Sequence, residues 1–271
     1  MTEQQFKEKV EIIKQHIENE EVAQVVLSQR MKGKLEGDSF TFYLKLREVN
    51  PSPYMFYIDF EDYQILGASP ESLVQTKNDE VITNPIAGTR HRGMSVAEDK
   101  ALEKELLTDK KELAEHDMLV ELSRNDLERV CEASSIHSPT YMKIEKYQHV
   151  MHIVSEVRGK LKEDFTSIDA LLACLPAGTV SGMPKIRAMQ IINELEEQKR
   201  GVYAGGIGYI NVNLDINFAL AIRSLVIKDG LAYLQAGAGI VKESDPTFEY
   251  NETLNKARSI MEVAKQISVK G

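Results

Sequence analysis

The sequence predicts an α+β fold with mainly antiparallel sheet. Short apolar runs broken by Gly, Pro, Asn and Asp come in successive groups rather than in strict strand–helix alternation. Helical periodicity stands at both ends of the chain. Asp229-Gly230 separates two apolar runs, the signature of a two-residue hairpin turn.

The elements follow in order. Residues 3–20 carry Phe6, Val10, Ile13 and Ile17 along one side of a helix. Strands are expected at Ala23–Arg30, Ser39–Leu46, Tyr54–Phe60, Gln64–Ala68, Ser72–Lys77 and Glu80–Pro85, each bounded by turn-forming residues. Helices are expected over 95–108 and 109–131, then an irregular or strand-rich segment over 136–160. Two more helices fall near 167–174 and 184–198. Three strands come next, at Val202–Val212, Ile216–Lys228 and Leu231–Lys242. The last helix opens at Asp245-Pro246, a cap residue followed by Pro at the first helical position, and runs to about 268. No internal repeat or low-complexity linker interrupts the chain, so 1–271 reads as one domain.

Composition limits the function classes. A balance of 33 basic against 42 acidic residues gives a net charge of -9, which argues against a nucleic-acid surface. An anionic small-molecule substrate would need positive charge supplied locally. Cys131 and Cys174 both lie in apolar helical patterns and read as buried free thiols of a reducing compartment. Residues 1–20 are charged throughout, and no apolar run nears the roughly 18 residues of a membrane helix. A cytoplasmic protein with no membrane contact is expected.

Two acidic pairs stand out. Along 109–131, Leu113, Val120, Leu127 and Cys131 make one apolar stripe, while Glu112, Glu115, Leu119 and Leu122 share a second. In the last helix Glu249, Glu252, Lys256, Ile260, Val263 and Ile267 follow one face that begins charged and turns apolar. Both pairs are therefore expected to point inward, where carboxylates need a partner. Without a His or Cys cluster, the donor type suits Mg²⁺ rather than Zn²⁺. By spacing alone, each pair serves equally well as a solvated helix face.

The segment Pro176-Ala177-Gly178-Thr179-Val180-Ser181-Gly182-Met183-Pro184-Lys185 resembles the signature of the chorismate-utilising enzymes. So do Pro85-Ile86-Ala87-Gly88-Thr89-Arg90, Lys111-Glu112-Leu113-Ala114-Glu115-His116, Ser123-Arg124-Asn125-Asp126 and Gly237-Ala238-Gly239-Ile240-Val241. The matches keep family order from about residue 22 to 260. The resemblance implies two large, mainly antiparallel sheets packed as a sandwich with flanking helices. It implies Mg²⁺ as cofactor, with Glu115 and Glu252 as direct ligands and Glu112 and Glu249 completing the shell. Arg223, Lys256, Tyr203, Gly88, Thr89 and the Gly237-Ala238-Gly239 backbone would hold chorismate. Glu71 would be the general acid that protonates the departing C4 hydroxyl, and His152 would assist loss of pyruvate.

Two positions choose within the family. Water-adding relatives carry a lysine base immediately before Val-Val-Leu-Ser, whereas this chain has Gln24, whose amide takes no proton at neutral pH. Many aminodeoxychorismate synthases carry a lysine nucleophile where this chain has Ala87. The resemblance thus implies an anthranilate synthase component I: ammonia adds to chorismate and pyruvate leaves. The alternatives are an aminodeoxychorismate synthase, or a chorismate-binding fragment without turnover. Neither cysteine sits in a Gly-rich nucleophile motif, so ammonia would come from a separate glutamine amidotransferase subunit. Full-length relatives are longer at the N-terminus. The resemblance therefore implies that the tryptophan-responsive regulatory part is absent, and that exposed sheet edges are open to self-association as a homo-oligomer.

Overall fold

The structure, a computed structural model, describes residues 1–35, 37–147 and 150–268. The side chain of Ile267, and Gln148 and His149 within the predicted 136–160 segment, lie outside the described residues. The chain forms two compact units: Met1–Pro70 with Pro176–Gly206 and Leu220–Gly271, and Glu71–Leu175 with Ile207–Ala219.

The first unit is built on a six-stranded antiparallel sheet in the order β2-β3-β12-β13-β1-β9. Its strands are β1 (Gln24–Lys34), β2 (Tyr54–Asp59), β3 (Gln64–Ser69), β9 (Gly182–Met183), β12 (Ser224–Lys228) and β13 (Leu231–Ile240). Four helices belong to it: α1 (Glu3–Glu18), α2 (Ser39–Val49), α6 (Lys185–Leu195) and α7 (Pro246–Ser268). β1 and β13 run opposite one another from Val25↔Ile240 to Lys34↔Leu231. Strand alternation then decides what each face does. Val25, Leu27, Ala238 and Ile240 share one face and pack on Phe6, Val10 and Ile13 of α1 and on Ile191 of α6. Val26, Ser28, Gly237 and Gly239 occupy the opposite face. Further along, Leu225, Ile227 and Leu234 pack with Phe42 and Leu46 of α2 and Ala257, Ile260 and Val263 of α7.

The second unit carries a seven-stranded antiparallel sheet in the order β10-β11-β4-β5-β8-β6, with β7 also on β8. Its strands are β4 (Ser72–Lys77), β5 (Glu80–Thr83), β6 (Ile86–His91), β7 (His137–Lys146), β8 (Val150–Lys160), β10 (Gly206–Ile210) and β11 (Ile216–Leu220). Helices α3 (Val96–Leu106), α4 (Lys110–Glu128) and α5 (Ser167–Cys174) accompany it. Two antiparallel sheets with flanking helices are what the sequence predicts. No helix among the described residues is long and apolar enough to cross a membrane. Both cysteines are buried and neither belongs to a disulfide, and burial pushes the Cys131 thiol up to about 11.

Three expectations are corrected. Ser39–Leu46 is helix, not strand. Its Phe, Thr and Tyr residues favour strand only by tenths of a kcal/mol each. Burying Phe42 and Leu46, four apart on one helical face, is worth roughly 1.5–3 kcal/mol apiece. The Asp38 carboxylate also caps the helix, accepting from Thr41 N at 2.7 Å. The single strand expected at Ile216–Lys228 is two strands, β11 and β12, in different sheets, with Arg223 between them at φ 50°. Residues 86–91, assigned no structure from sequence, form β6, whose bulge beside Gly88 disrupts the period-two pattern. The Asp229-Gly230 turn is as expected, with φ of 52° and 71°, the two positive values a type I′ hairpin needs.

Candidate active site

In the first unit the site is built around β1 and β13, with side chains reaching it from α7. Val26 N donates to Ser181 O at 2.8 Å, and Ser28 N to Glu196 Oε1 at 2.9 Å. Both amides therefore point away from β13. In an antiparallel ladder the residues opposite them, Gly239 and Gly237, then also turn their N–H and C=O groups outward. On that outer side the β12–β13 ladder stops at Leu225↔Leu234. The polar groups of Gly237 and Gly239 thus lie outside both ladders. Lys256, from α7, donates its ammonium to Gly237 O at 3.0 Å and pairs with Glu252 at 3.5 Å.

At both glycines a site side chain occupies the space that a Cβ would take. A Cβ on Gly237 would stand 2.8 Å from the Tyr203 hydroxyl, and one on Gly239 would stand 2.4 Å from Gln24 Nε2. Gln24, Tyr203, Gly237, Gly239, Lys256 and Glu252 are thereby brought together. Ala238 is different: its side chain is 1% exposed in the apolar core, so only its backbone is left for binding. Arg223 is half-buried just before β12, and its carbonyl accepts from Ala68 N at 3.1 Å. Glu249 accepts from Ser244 Oγ at 2.8 Å at the start of α7.

In the second unit the bulge of β6 organises a separate group. Gly88 has φ 69°, and a Cβ there would meet Leu106, Ile153 and, at 3.3 Å, Glu112 Oε2. The bulge brings Thr89 opposite His152 of β8. His152 Nδ1 lies 3.1 Å from Gly88 O and 3.0 Å from Thr89 Oγ1. A carbonyl can only accept, so Nδ1 carries the proton, and in the neutral ring Nε2 is the proton acceptor. Glu71 stands half-buried immediately before β4.

The acidic pairs depart from expectation in one respect. Glu115 is exposed and Glu112, Glu249 and Glu252 are half-buried, so none is turned into the core. In α4 the buried positions are His116, Leu119, Val120, Leu122 and Leu127, and the glutamates flank them. His116 is fully buried 2.6 Å from Ser155 Oγ, and burial lowers its pKa. Glu112 pairs with Arg90, which reaches it at 3.0 Å and is shared with Asp109 at 2.8 Å and Glu105 at 2.9 Å. The Glu112 backbone N–H and the Arg90 guanidinium hold the Asp109 carboxyl below the usual range.

Among the described residues no group of three or more His, Cys, Asp or Glu is disposed to hold a metal ion. The donor chemistry nonetheless fits Mg²⁺. That ion takes hard carboxylate oxygens, commonly one or two protein carboxylates completed by water and substrate oxygens.

Sequence reasoning overlooked Arg90, which directly follows Gly88-Thr89, and a buried polar network behind Tyr203. There Arg200 grips Glu196 through Nε at 2.9 Å and Nη2 at 2.7 Å. Ser28 Oγ donates to Glu196 at 2.7 Å and accepts from Gln235 Nε2 at 2.7 Å. Glu196 caps the end of α6 and Arg200 lies beyond it, so no helical spacing signalled the pair.

Comparison with known proteins adds independent findings. A family model described as chorismate binding enzyme matches residues 1–262. Anthranilate synthase component 1 of Lactococcus lactis subsp. lactis (strain IL1403) is 51% identical over 265 residues, covering 98% of this chain and 58% of that protein. The crystal structure of anthranilate synthase component I from Streptococcus pneumoniae TIGR4 superposes with a TM-score of 0.90 at 51% identity, over 96% of this chain and 58% of that one. The menaquinone-specific isochorismate synthase from Escherichia coli superposes with a TM-score of 0.88 at 25% identity, over 97% and 61%. The chain thus spans a little over half the length of the component 1 protein it matches.

Proposed function

The chain belongs to the chorismate binding enzyme family, and from that premise we propose that it is the catalytic part of an anthranilate synthase component I. The observation that carries this reading is the environment of Gln24. Its amide lies against Gly239, at the position where water-adding relatives are expected to place a lysine base. An amide cannot activate water, whereas ammonia attacks without a base. Ala87, buried in β6, offers no nucleophile for the alternative route through a lysine adduct. Identity near 50% to proteins named anthranilate synthase component 1 supports the same choice.

In this reading Lys256, Arg223, Tyr203 and the outward amides of Gly237 and Gly239 hold the carboxylates of chorismate. They supply the local positive charge that a protein of net charge -9 otherwise lacks. The nitrogen lone pair of ammonia forms a bond at C2, the ring π bonds shift, and the C4–O bond breaks. The Glu71 carboxyl gives its proton to that oxygen, which leaves as water. Loss of pyruvate then takes the C2 proton, breaks the C3–O bond and protonates the enolpyruvyl methylene. His152 serves this step, its ring orientation fixed by Gly88 and Thr89. Magnesium, with Glu115 and Glu252 as ligands and Glu112 and Glu249 behind them, would polarise the ring carboxylate. Ammonia would be delivered by a separate glutamine amidotransferase subunit, and ammonium salt replaces it in the test.

Chorismate, Mg²⁺ and ammonium salt incubated with the chain should give anthranilate, followed by its fluorescence. Aminodeoxychorismate as product would move the assignment to the folate-type relative, and chorismate binding without product would establish a fragment that binds only. Glu115→Gln or Glu252→Gln should abolish Mg²⁺-dependent turnover. Either variant keeping the wild-type magnesium titration would sink the ligand assignment.

A further inference from the structure

Arg200 shows little of itself to solvent, its side chain 17% exposed, and Glu196 shows less, at 6%. An enclosed ion pair is costly to desolvate, and apolar residues of equal size often serve stability as well or better. Its retention therefore asks for a geometric reason. The fork of Arg200 grips both oxygens of Glu196, while Nη2 also donates to Val26 O at 2.8 Å and Nη1 to Val180 O at 2.5 Å. Glu196 is itself pinned by the amide and hydroxyl of Ser28. The guanidinium carbon of Arg200 lies 5.5 Å from the centre of the Tyr203 ring, a cation–π contact. The hydroxyl of that ring stands over Gly237.

We infer that Arg200, locked by Glu196, is a positioning residue that sets the Tyr203 hydroxyl beside the outward amides of Gly237 and Gly239, where it takes part in carboxylate recognition. This rests on the chorismate reading above and extends it to residues that do not touch substrate. Arg200 joins three segments that bear on the site: β1 through Val26, the 176–185 signature through Val180, and Tyr203 through its ring. A lysine keeps the charge but has neither the planar fork nor the delocalised face that a ring rests on.

Arg200→Lys should raise the KM for chorismate about tenfold while kcat changes less than about threefold, because a lost orienting contact weakens binding rather than chemistry. In a Tyr203→Phe background the same substitution should add less than about twofold, since the hydroxyl being placed is gone. Additive effects, or an unchanged KM in Arg200→Lys, overturn the assignment. If Arg200→Lys does not fold, Glu196→Gln, which loosens the fork from the other end, is read in the same cycle. The Tyr203 ring is also followed by ¹³C NMR without substrate, its signals identified by their loss in Tyr203→Phe. They should shift in Arg200→Lys, and a wild-type position overturns the positioning role whether or not chorismate is the substrate. A shift together with a wild-type chain inert toward chorismate counts against the functional reading alone.

Discussion

Glu71→Gln should lower kcat for anthranilate formation by about 10²- to 10⁴-fold with little change in KM, the usual cost of removing a general acid. Hydroxide is a poor leaving group, so the C4–O bond breaks readily only if a proton arrives with it. The amide keeps the size and polarity of the side chain but has no proton to give at neutral pH. Glu71 sits half-buried in the short connection between β3 and β4, so the exchange should not disturb the core. The substitution is diagnostic because it leaves the second half-reaction alone. Supplied directly with 2-amino-2-deoxyisochorismate, the variant should still release pyruvate at close to the wild-type rate. If both half-reactions fail together, Glu71 is structural; if neither slows, the acid is another group.

Gly182→Ala should be strongly damaging for stability, because it combines a positive φ with a backbone clash. Gly182 has φ 140°, a conformation that side-chain-bearing residues rarely adopt, and an added Cβ would lie 2.1 Å from Gln24 O and 2.9 Å from Ala188 Cβ. The contact is with backbone, so no rotamer change relieves it. The β1–β9 pairing at Gln24↔Met183 and Val25↔Gly182 must open or shift instead. Strain of this kind costs about 1–3 kcal/mol by itself, and with the lost pairing a total of about 3 kcal/mol or more is expected. The urea midpoint measures it. A loss below about 1 kcal/mol would mean that the Gly182 backbone relaxes freely, against the strain expected at its φ.

Much of this was legible beforehand, because the signals were local. The last helix announced itself through Asp245-Pro246, and the Asp245 carboxylate accepts from Phe248 N at 2.8 Å as a cap should. What stayed hidden depended on distant partners. α2 is a helix because its apolar face meets α7, sequence-remote by some two hundred residues. β11 and β12 run together in sequence and part only at Arg223. For the site, glycines and glutamates were visible as motifs, yet periodicity misjudged the glutamates as inward-facing. It could not see that Arg90 pairs with Glu112 in the structure. Nor could it distinguish Ala238, whose side chain is core, from the glycines on either side of it.

The β1–β13 ladder has a consequence for how the molecule comes into being. Its partners stand roughly two hundred residues apart in the chain, a separation that makes pairing entropically late and folding slow. On the ribosome, Val25, Val26 and Leu27 emerge as an apolar strand before their mate in β13 has been translated. The first unit can close only once Leu231–Ile240 has emerged, whereas the second draws all its strands from earlier in the chain. Assembly should therefore run against reading order, with the interior of the chain structured before its ends meet.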